Sequence, residues 1–358
     1  MTAVVLNGLP VDELAAQLAG QFGVPPGAVS RVFARVHDRR ASVWPDFSAI
    51  PGLDRSRIRL VADSGARSKR LEVLERRRSP VDGFVKYLLR LPDGATVEAV
   101  LIPLPAGPST TPTKGIVCVS AQTGCVLGCV FCATGRLGAG RNLAAWEIVD
   151  QVARIRDEID FPVRGVVFMG MGEPLLNYRN TIRAARVLAE PAGFAIAQKA
   201  ITISTAGIVP QIRRFTAEGH RFRLAVSLTS AIDERRRQLM PVVAERYPLA
   251  DLLAAVRAHS EESRSRAMLE YVAISGVNLG QEDAQALVHR LAGIRVRLNL
   301  IDVNDTTAGF RAPSTEELSR FRDWLAPLGQ PVVRRYSGGK DIGGACGMLA
   351  GTLIAPAS

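Results

Sequence analysis

From residue 115 onward the chain alternates short apolar runs with longer amphipathic ones, and this repeat restricts its fold more than any other feature. Runs at 115–120, 164–169, 200–205, 222–228, 267–274, 296–302 and 331–335 read as strands. Between them, 143–159, 178–190, 209–218, 248–262, 281–293 and 315–327 read as helices. The first of these helices carries Ile148, Val149, Val152, Ile155 and Ile159 at helical spacing. Repeated β-α units predict an α/β fold with a parallel sheet, and this many units suit a full or partial barrel of TIM type. Loops at the carboxyl ends of the strands then build the active site.

Upstream, residues 1 to about 75 read as helical, and 1–80 as a small accessory domain. One helix follows Pro25-Pro26, with Val29, Val32, Phe33 and Val36 inside and Arg31, Arg35, Arg39 and Arg40 outside. Those arginines either meet water or lie against RNA phosphates. A basic run, Arg67-Ser68-Lys69-Arg70 and then Arg76-Arg77-Arg78, ends at Pro80, which marks the seam with a main domain at 81–340. There, residues 86–90 and 97–101 flank the turn pair Asp93-Gly94 and form a β-hairpin. The Pro/Ser/Thr-rich stretch 103–112 reads as an exposed, mobile loop. Residues 341–358 read as a flexible segment carrying Cys346, because five glycines crowd 338–347.

The formal net charge of +11 fits a polyanionic partner, nucleic acid first, or a surface that arginines merely solvate. Asp12 and Glu13 fall where a signal peptide has its apolar core. No run approaches the roughly 18 uninterrupted apolar residues of a membrane span. The expectation is a cytoplasmic protein with no membrane partner, its thiols kept reduced.

Three of the five cysteines stand in Gly124-Cys125-Val126-Leu127-Gly128-Cys129-Val130-Phe131-Cys132, spaced C-x3-C-x2-C. One short loop thus gathers three thiolates near one metal centre. The histidines, His37, His220, His259 and His289, are all distant in sequence. A zinc knuckle would want a fourth Cys or His close by. Three thiolates alone suit a [4Fe–4S] cubane with one iron left open to a small molecule. The loop follows the first strand of the repeat, so it falls at the barrel mouth. Other segments also follow strands directly: Phe168 to Pro174, Ser204-Thr205-Ala206-Gly207, Ser227-Leu228-Thr229-Ser230, and Asn304. Singly, such residues make turns and caps. Together, at successive strand ends, they read as the wall of a small-molecule site.

The cysteine spacing, with Phe131 before the last cysteine, resembles that of radical S-adenosylmethionine (SAM) enzymes. Gly170-Met171-Gly172-Glu173-Pro174 resembles their segment for the SAM amino group. More narrowly, Cys118-Val119-Ser120, Cys132-Ala133-Thr134-Gly135, Arg141-Asn142-Leu143, Phe168 to Asn177, Ile203 to Gly207, Glu270-Tyr271-Val272 and Ala345 to Gly351 resemble the RlmN/Cfr family of RNA adenosine methyltransferases. The likeness spans about residues 82–351.

That resemblance implies roles for named residues. Cys125, Cys129 and Cys132 would hold one [4Fe–4S] cluster, its open iron binding an exchangeable SAM. Gly172, Glu173, Ser204, Ser227, Leu228, Thr229 and Asn304 are the implied SAM contacts. Cys346 would take a methyl group from one SAM, and a second SAM would be cleaved to a radical that activates that methyl for addition to an adenine ring carbon. Glu98 would accept the proton of the adduct, and Cys118 would attack the Cys346 sulfur, leaving a transient disulfide. Radical chemistry is needed because an aromatic C–H carbon does not accept SAM's cationic methyl directly. Thiolate exchange is a means of breaking the sulfur-bound intermediate.

The implied substrate is adenosine in 23S rRNA or tRNA, at C2 as in RlmN or C8 as in Cfr; Pro174-Leu175-Leu176-Asn177 favours C2. Two SAM molecules per turnover, an electron donor such as flavodoxin or ferredoxin, and a monomer are also expected. The chain departs from the family at three places. Ser227-Leu228-Thr229 stands for Ser-Leu-His, Gly138-Ala139-Gly140 lacks a phenylalanine, and Asp302-Val303-Asn304-Asp305 lacks a flanking proline. Two other readings stay open: a radical-SAM enzyme for a small molecule or peptide, and a non-catalytic iron–sulfur module that binds RNA or senses redox state.

Overall fold

A computed structural model describes residues 5–38, 50–63, 68–105, 111–305 and 309–351. Helices α1 (Val11–Phe22), α2 (Pro26–Val36) and α3 (Arg55–Asp63) come first. Strands β1 (Glu72–Arg78), β2 (Val85–Arg90), β3 (Thr96–Pro105) and β4 (Pro112–Cys118) follow, then the short α4 (Ala133–Arg136). Next are α5 (Ala145–Glu158), β5 (Val163–Phe168), α6 (Tyr178–Ala189), β6 (Ile201–Thr205), α7 (Val209–Ala217) and β7 (Arg223–Ser227). The chain continues through α8 (Asp233–Leu239), α9 (Pro241–Arg246), α10 (Leu249–Glu262), β8 (Ala267–Ala273) and α11 (Gln281–Arg290). Last are β9 (Val296–Asp302), α12 (Thr315–Trp324) and β10 (Val332–Arg335).

The ten strands form one sheet in chain order. Strands β1 to β4 pair antiparallel, and β4 to β10 pair parallel, each reached by a helical crossover. This is the expected α/β architecture. Among the described residues no ladder returns from β10 to β1 or β4, so the barrel is partial and open. Helices cover the outer face, and the parallel strands are accordingly apolar on both sides. Val166, Ile203, Val226, Leu269 and Leu298 are each fully buried. On α5, Ile148, Val149, Val152 and Ile155 are buried, as the stripe requires. The link from β7 to α10 is richer than a simple crossover, since α8 and α9 interrupt it, with Pro241 opening α9.

The hairpin closes as expected. Leu91 N–H does not continue the ladder but donates to Ala95 O at 2.8 Å, and Gly94 turns with φ 86°. Register then matters for the site. Val100 pairs with Cys118, so Glu98, two residues earlier, reaches the carboxyl end of β4.

Two expectations need correction. Residues 72–78 are not the end of a helical region but the edge strand β1. Its basic run is used in pairing: Arg70 meets Asp150 at 2.9 Å and Asp157 at 2.7 Å, and Arg76 meets Glu158, all carboxylates of α5. The arginine face of α2 is also partly engaged internally. Arg31 Nε donates to Pro51 O at 2.9 Å, and Arg35 pairs with Asp38 at 2.9 Å. Arg39, Arg40 and Arg67 lie outside the described residues, as does 106–110 of the expected loop; β3 runs to Pro105 and β4 starts at Pro112. The N-terminal helices pack on the crossover layer, with Asp12 bonded to Arg186 at 2.6 Å and Glu13 paired with Arg183.

Candidate active site

A cavity of about 170 Å³ opens at the carboxyl ends of the parallel strands. Its wall includes Cys125, Cys129 and Cys132 from the loop after β4, and Gly172 and Glu173 after β5. Ser204 of β6, Ser227 of β7, Asn304 after β9, and Cys346 complete the predicted residues found there. A larger cavity, of about 1030 Å³, lies at the opposite pole beside the amino ends of β7 to β9 and holds none of them.

Local bonding shapes the cysteine loop. Gly128 turns it with φ 58°, Cys132 N donates to Cys129 O at 3.1 Å, and α4 begins directly after Cys132. Cys125 N donates to Gly138 O at 2.8 Å, within the Gly138-Ala139-Gly140 departure. Burial pushes the Cys125 thiol up to about 11 and raises Cys129 and Cys132 as well. The Cys132 and Cys125 sulfurs push Cys129 further in the same direction. Three thiolates therefore cannot gather here without a strongly positive centre between them. Among the described residues no three His, Cys, Asp or Glu side chains converge tightly enough for a single ion. Three thiols from one short loop, with no histidine among the residues lining the cavity, fit an iron–sulfur cluster better than zinc.

In the same cavity, Gly172 has φ 91°, and a Cβ there would stand 2.4 Å from Gln122 Cβ. Only glycine fits that approach. The turn buries Glu173, whose Oε2 accepts from Ala206 N at 2.7 Å and whose Oε1 accepts from Leu175 N at 2.8 Å. Burial nevertheless raises its pKa to about 7, against those bonds. A ligand ammonium would hold such a carboxyl in its charged form.

Leu228 and Thr229 do not line the cavity; both are fully buried behind it. Thr229 sits at φ 58°, a left-handed conformation unusual for a β-branched residue, and its Oγ1 has no hydrogen-bond partner. Ser230 N, donating to Leu228 O at 2.6 Å, closes this sharp turn and carries the side chain away from the wall. Asn304 uses its Nδ2 on Ser337 Oγ, 2.9 Å, and on the carbonyl oxygen of Cys346, 3.0 Å, while its Oδ1 is unpartnered. It thus holds the cysteine segment as well as facing the cavity.

Cys118, at the end of β4, is buried. Burial and the nearby Cys346 sulfur push its thiol up to about 12, while the Arg335 guanidinium pulls the other way. Arg335 is mostly enclosed, its Nη1 2.9 Å from Met169 Sδ and 3.8 Å from Glu270 Oε2. It lies near both Cys118 and Cys346, whose negative charges would stabilise it. All five cysteines are free thiols, so the implied transient Cys118–Cys346 disulfide is not formed.

The segment with Cys346 is not a loose tail over its described part. Its glycines serve left-handed turns, with φ 73° at Gly339, 63° at Gly343, 84° at Gly347 and 64° at Gly351. Ala133 N donates to Gly347 O at 2.7 Å, Thr134 Oγ1 to Leu349 O at 2.5 Å, and Thr96 Oγ1 to Gly351 O. Residues 352–358 lie outside the described residues.

Glu98 is part of the same lashing. It is 1% exposed, its Oε1 is 2.9 Å from Lys86 Nζ, and its Oε2 accepts from Ala350 N at 2.8 Å. Ser120 Oγ donates to the Glu98 carbonyl oxygen at 2.6 Å. The hairpin register pairs Leu88 with Glu98 and Lys86 with Val100, so Lys86 and Glu98 are diagonal neighbours on one face. Lys86→Met leaves the carboxylate buried without its cation, and the expected loss is about 3–5 kcal/mol of stability, measurable by denaturant unfolding. Sequence reading assigns no role to Lys86, Arg335, Glu270 or Arg236. The hairpin register could have exposed Lys86; nothing in the sequence separates Arg335 or Arg236 from neighbouring arginines.

The model of the Radical SAM superfamily matches residues 119–291. A probable RNA methyltransferase of Myxococcus xanthus is 52% identical over 97% of this chain and 94% of its own length. A protein named dual-specificity RNA methyltransferase RlmN, from Syntrophotalea carbinolica, is 40% identical over 98% of this chain and 91% of its own. The chain belongs to the RlmN-like family of radical-SAM RNA methyltransferases. The crystal structure of a radical SAM methyltransferase from Sphaerobacter thermophilus agrees: 36% identity and a TM-score of 0.86, covering 98% of this chain and all of that one. This RlmN-like chain is therefore a SAM-dependent RNA methyltransferase, and the family implies a [4Fe–4S] cluster and SAM. No helix among its described residues is long and apolar enough to cross a membrane.

Proposed function

We propose that the chain methylates C2 of an adenosine in 23S rRNA or tRNA, with the methyl group carried on Cys346. The observation that carries this reading is the meeting of Cys346 with Cys125, Cys129 and Cys132 on one cavity wall, with Cys118 and Arg335 directly behind. When bound, the cluster and SAM supply the one-electron chemistry that an adenine C–H carbon requires. Cys125, Cys129 and Cys132 hold the cluster, and Gly172, Glu173, Ser204, Ser227 and Asn304 bind SAM. The Cys346 sulfur forms a bond to the methyl carbon as the sulfonium bond of SAM breaks. The Arg335 guanidinium favours the thiolate at Cys118 against the effect of burial.

Glu98, held by Lys86 and by the Ala350 N–H, accepts the ring proton. Once the methylene carbon is joined to the adenine ring, the Cys118 thiolate forms a bond to the Cys346 sulfur as the S–C bond breaks, and the electron pair stays on that carbon, which takes up a proton to complete the product methyl group. The adenine must be unstacked to reach the barrel mouth. The preference for C2 is supported by Pro174-Leu175-Leu176-Asn177 and by relatives named RlmN. Mapping methyladenosines in rRNA and tRNA from cells with and without the gene tests it. Loss of a 2-methyladenosine is expected on deletion; loss of only an 8-methyladenosine, or of neither, would contradict it.

A further inference from the structure

Arg236, on α8, is 1% exposed and heads the fully buried side chains by volume. Its Nη1 donates to Ser227 O at 2.9 Å and to Leu228 O, and its Nη2 donates to Ala206 O at 2.8 Å. Met240 Sδ lies 3.4 Å from Nη1, and Nε has no hydrogen-bond partner. Every one of these partners is neutral. The flanking arginines differ: Arg235 is paired with Asp283, and Arg237 with Glu234. Among the described residues no carboxylate stands within ion-pair distance of Arg236.

A guanidinium removed from water without a counter-charge is strongly disfavoured. Burial indeed pulls Arg236 down to about 10, and the negative groups opposing that fall are the Cys129 thiolate first and Asp233 second. Its place in the fold points the same way. Val130 N, beside Cys129, donates to Leu239 O of α8 at 3.1 Å. Ala206 and Ser227, whose carbonyls Arg236 holds, line the cavity with the three loop cysteines.

We infer that the missing counter-charge is the iron–sulfur cluster, and that Arg236 is a charge-compensating residue that raises the cluster's reduction potential. This rests on the reading that Cys125, Cys129 and Cys132 hold the cluster. Reduction adds one negative charge to a centre already carrying three thiolates, so a fixed buried cation favours the reduced state. A residue that merely ties the loops after β6 and β7 would leave the potential unchanged.

The test is an EPR-monitored redox titration of the full-length chain, anaerobically reconstituted, as wild type, Arg236→Met and Arg236→Lys. Iron and sulfide content are measured first. Arg236→Met should make one-electron reduction at least tenfold less favourable, a fall of about 59 mV or more. Arg236→Lys, which keeps the charge but not all three carbonyl bonds, should stay within that margin of wild type. A cluster-loaded Arg236→Met protein with the wild-type potential would overturn the inference. If Arg236→Met holds no iron, Arg236→Gln, neutral but still a hydrogen-bond donor to the loop carbonyls, decides. A fall of about 59 mV or more supports the inference, whereas a wild-type potential, or a folded protein without cluster, overturns it. A wild-type chain that takes up no iron and sulfide would instead refute the cluster reading itself.

Discussion

Cys346→Ala is expected to lower RNA methylation by roughly three orders of magnitude or more, because under the proposed function the variant lacks the atom that carries the methyl group. The loss should be confined to that step. Cys346 is no ligand of the proposed cluster, so iron and sulfide content should match wild type. Its carbonyl, not its side chain, is what Asn304 holds, so the fold of the segment should survive. Transfer of isotopically labelled methyl groups from SAM to RNA, measured beside iron content, separates these effects. A variant that loses activity only because it loses iron would assign Cys346 to the cluster; one that methylates RNA normally would remove it from the reaction.

Cys118→Ala is expected to fail later and more visibly. In the proposed function, methyl transfer to Cys346 and attachment to RNA do not need Cys118, but release does. The variant should therefore accumulate protein covalently joined to RNA, seen as a slow band on a denaturing gel that nuclease collapses. Multiple turnover should fall by a factor comparable to that for Cys346→Ala. The environment of Cys118 adds a pH dependence. Burial holds its thiol near 12, so at neutral pH it is protonated, and the reactive thiolate fraction rises about tenfold per pH unit below that value. Release in the wild type should accelerate with pH across the alkaline range where the protein stays folded. Cys118→Ala protein that turns over freely, with no adduct, would contradict the role.

Much of the architecture was legible because its signals are local. Each parallel strand of the repeat is an apolar run, and each crossover such as α5 carries an apolar stripe, so burial alone reveals them. The cysteine loop was legible for a similar reason, since its three cysteines lie within eight residues, Cys125 to Cys132. What stayed hidden depends on partners far along the chain. The basic run at 70–78 looks like a linker until β1 pairs with β2 and its arginines meet carboxylates of α5. The glycines round Cys346 look like freedom, but they are turns that let Thr96, Glu98, Ala133 and Thr134 lash the segment down. Thr229 is an implied cofactor contact only through its place in Ser227-Leu228-Thr229, where the family has Ser-Leu-His, and its left-handed backbone, which carries the side chain away from the wall, cannot be read from sequence. Arg236 sits in Glu234-Arg235-Arg236-Arg237, where nothing but packing distinguishes the buried guanidinium from its neighbours.

The central claim is that one cysteine of this cavity carries the methyl group. Peptide mass spectrometry of the full-length, cluster-loaded protein, incubated with methyl-labelled SAM in the absence of RNA, tests it most directly. The predicted result is a single labelled methyl on the peptide containing Cys346 and none on Cys118, Cys125, Cys129 or Cys132. Unlabelled cysteines, from a preparation that still transfers the label to RNA, would contradict it.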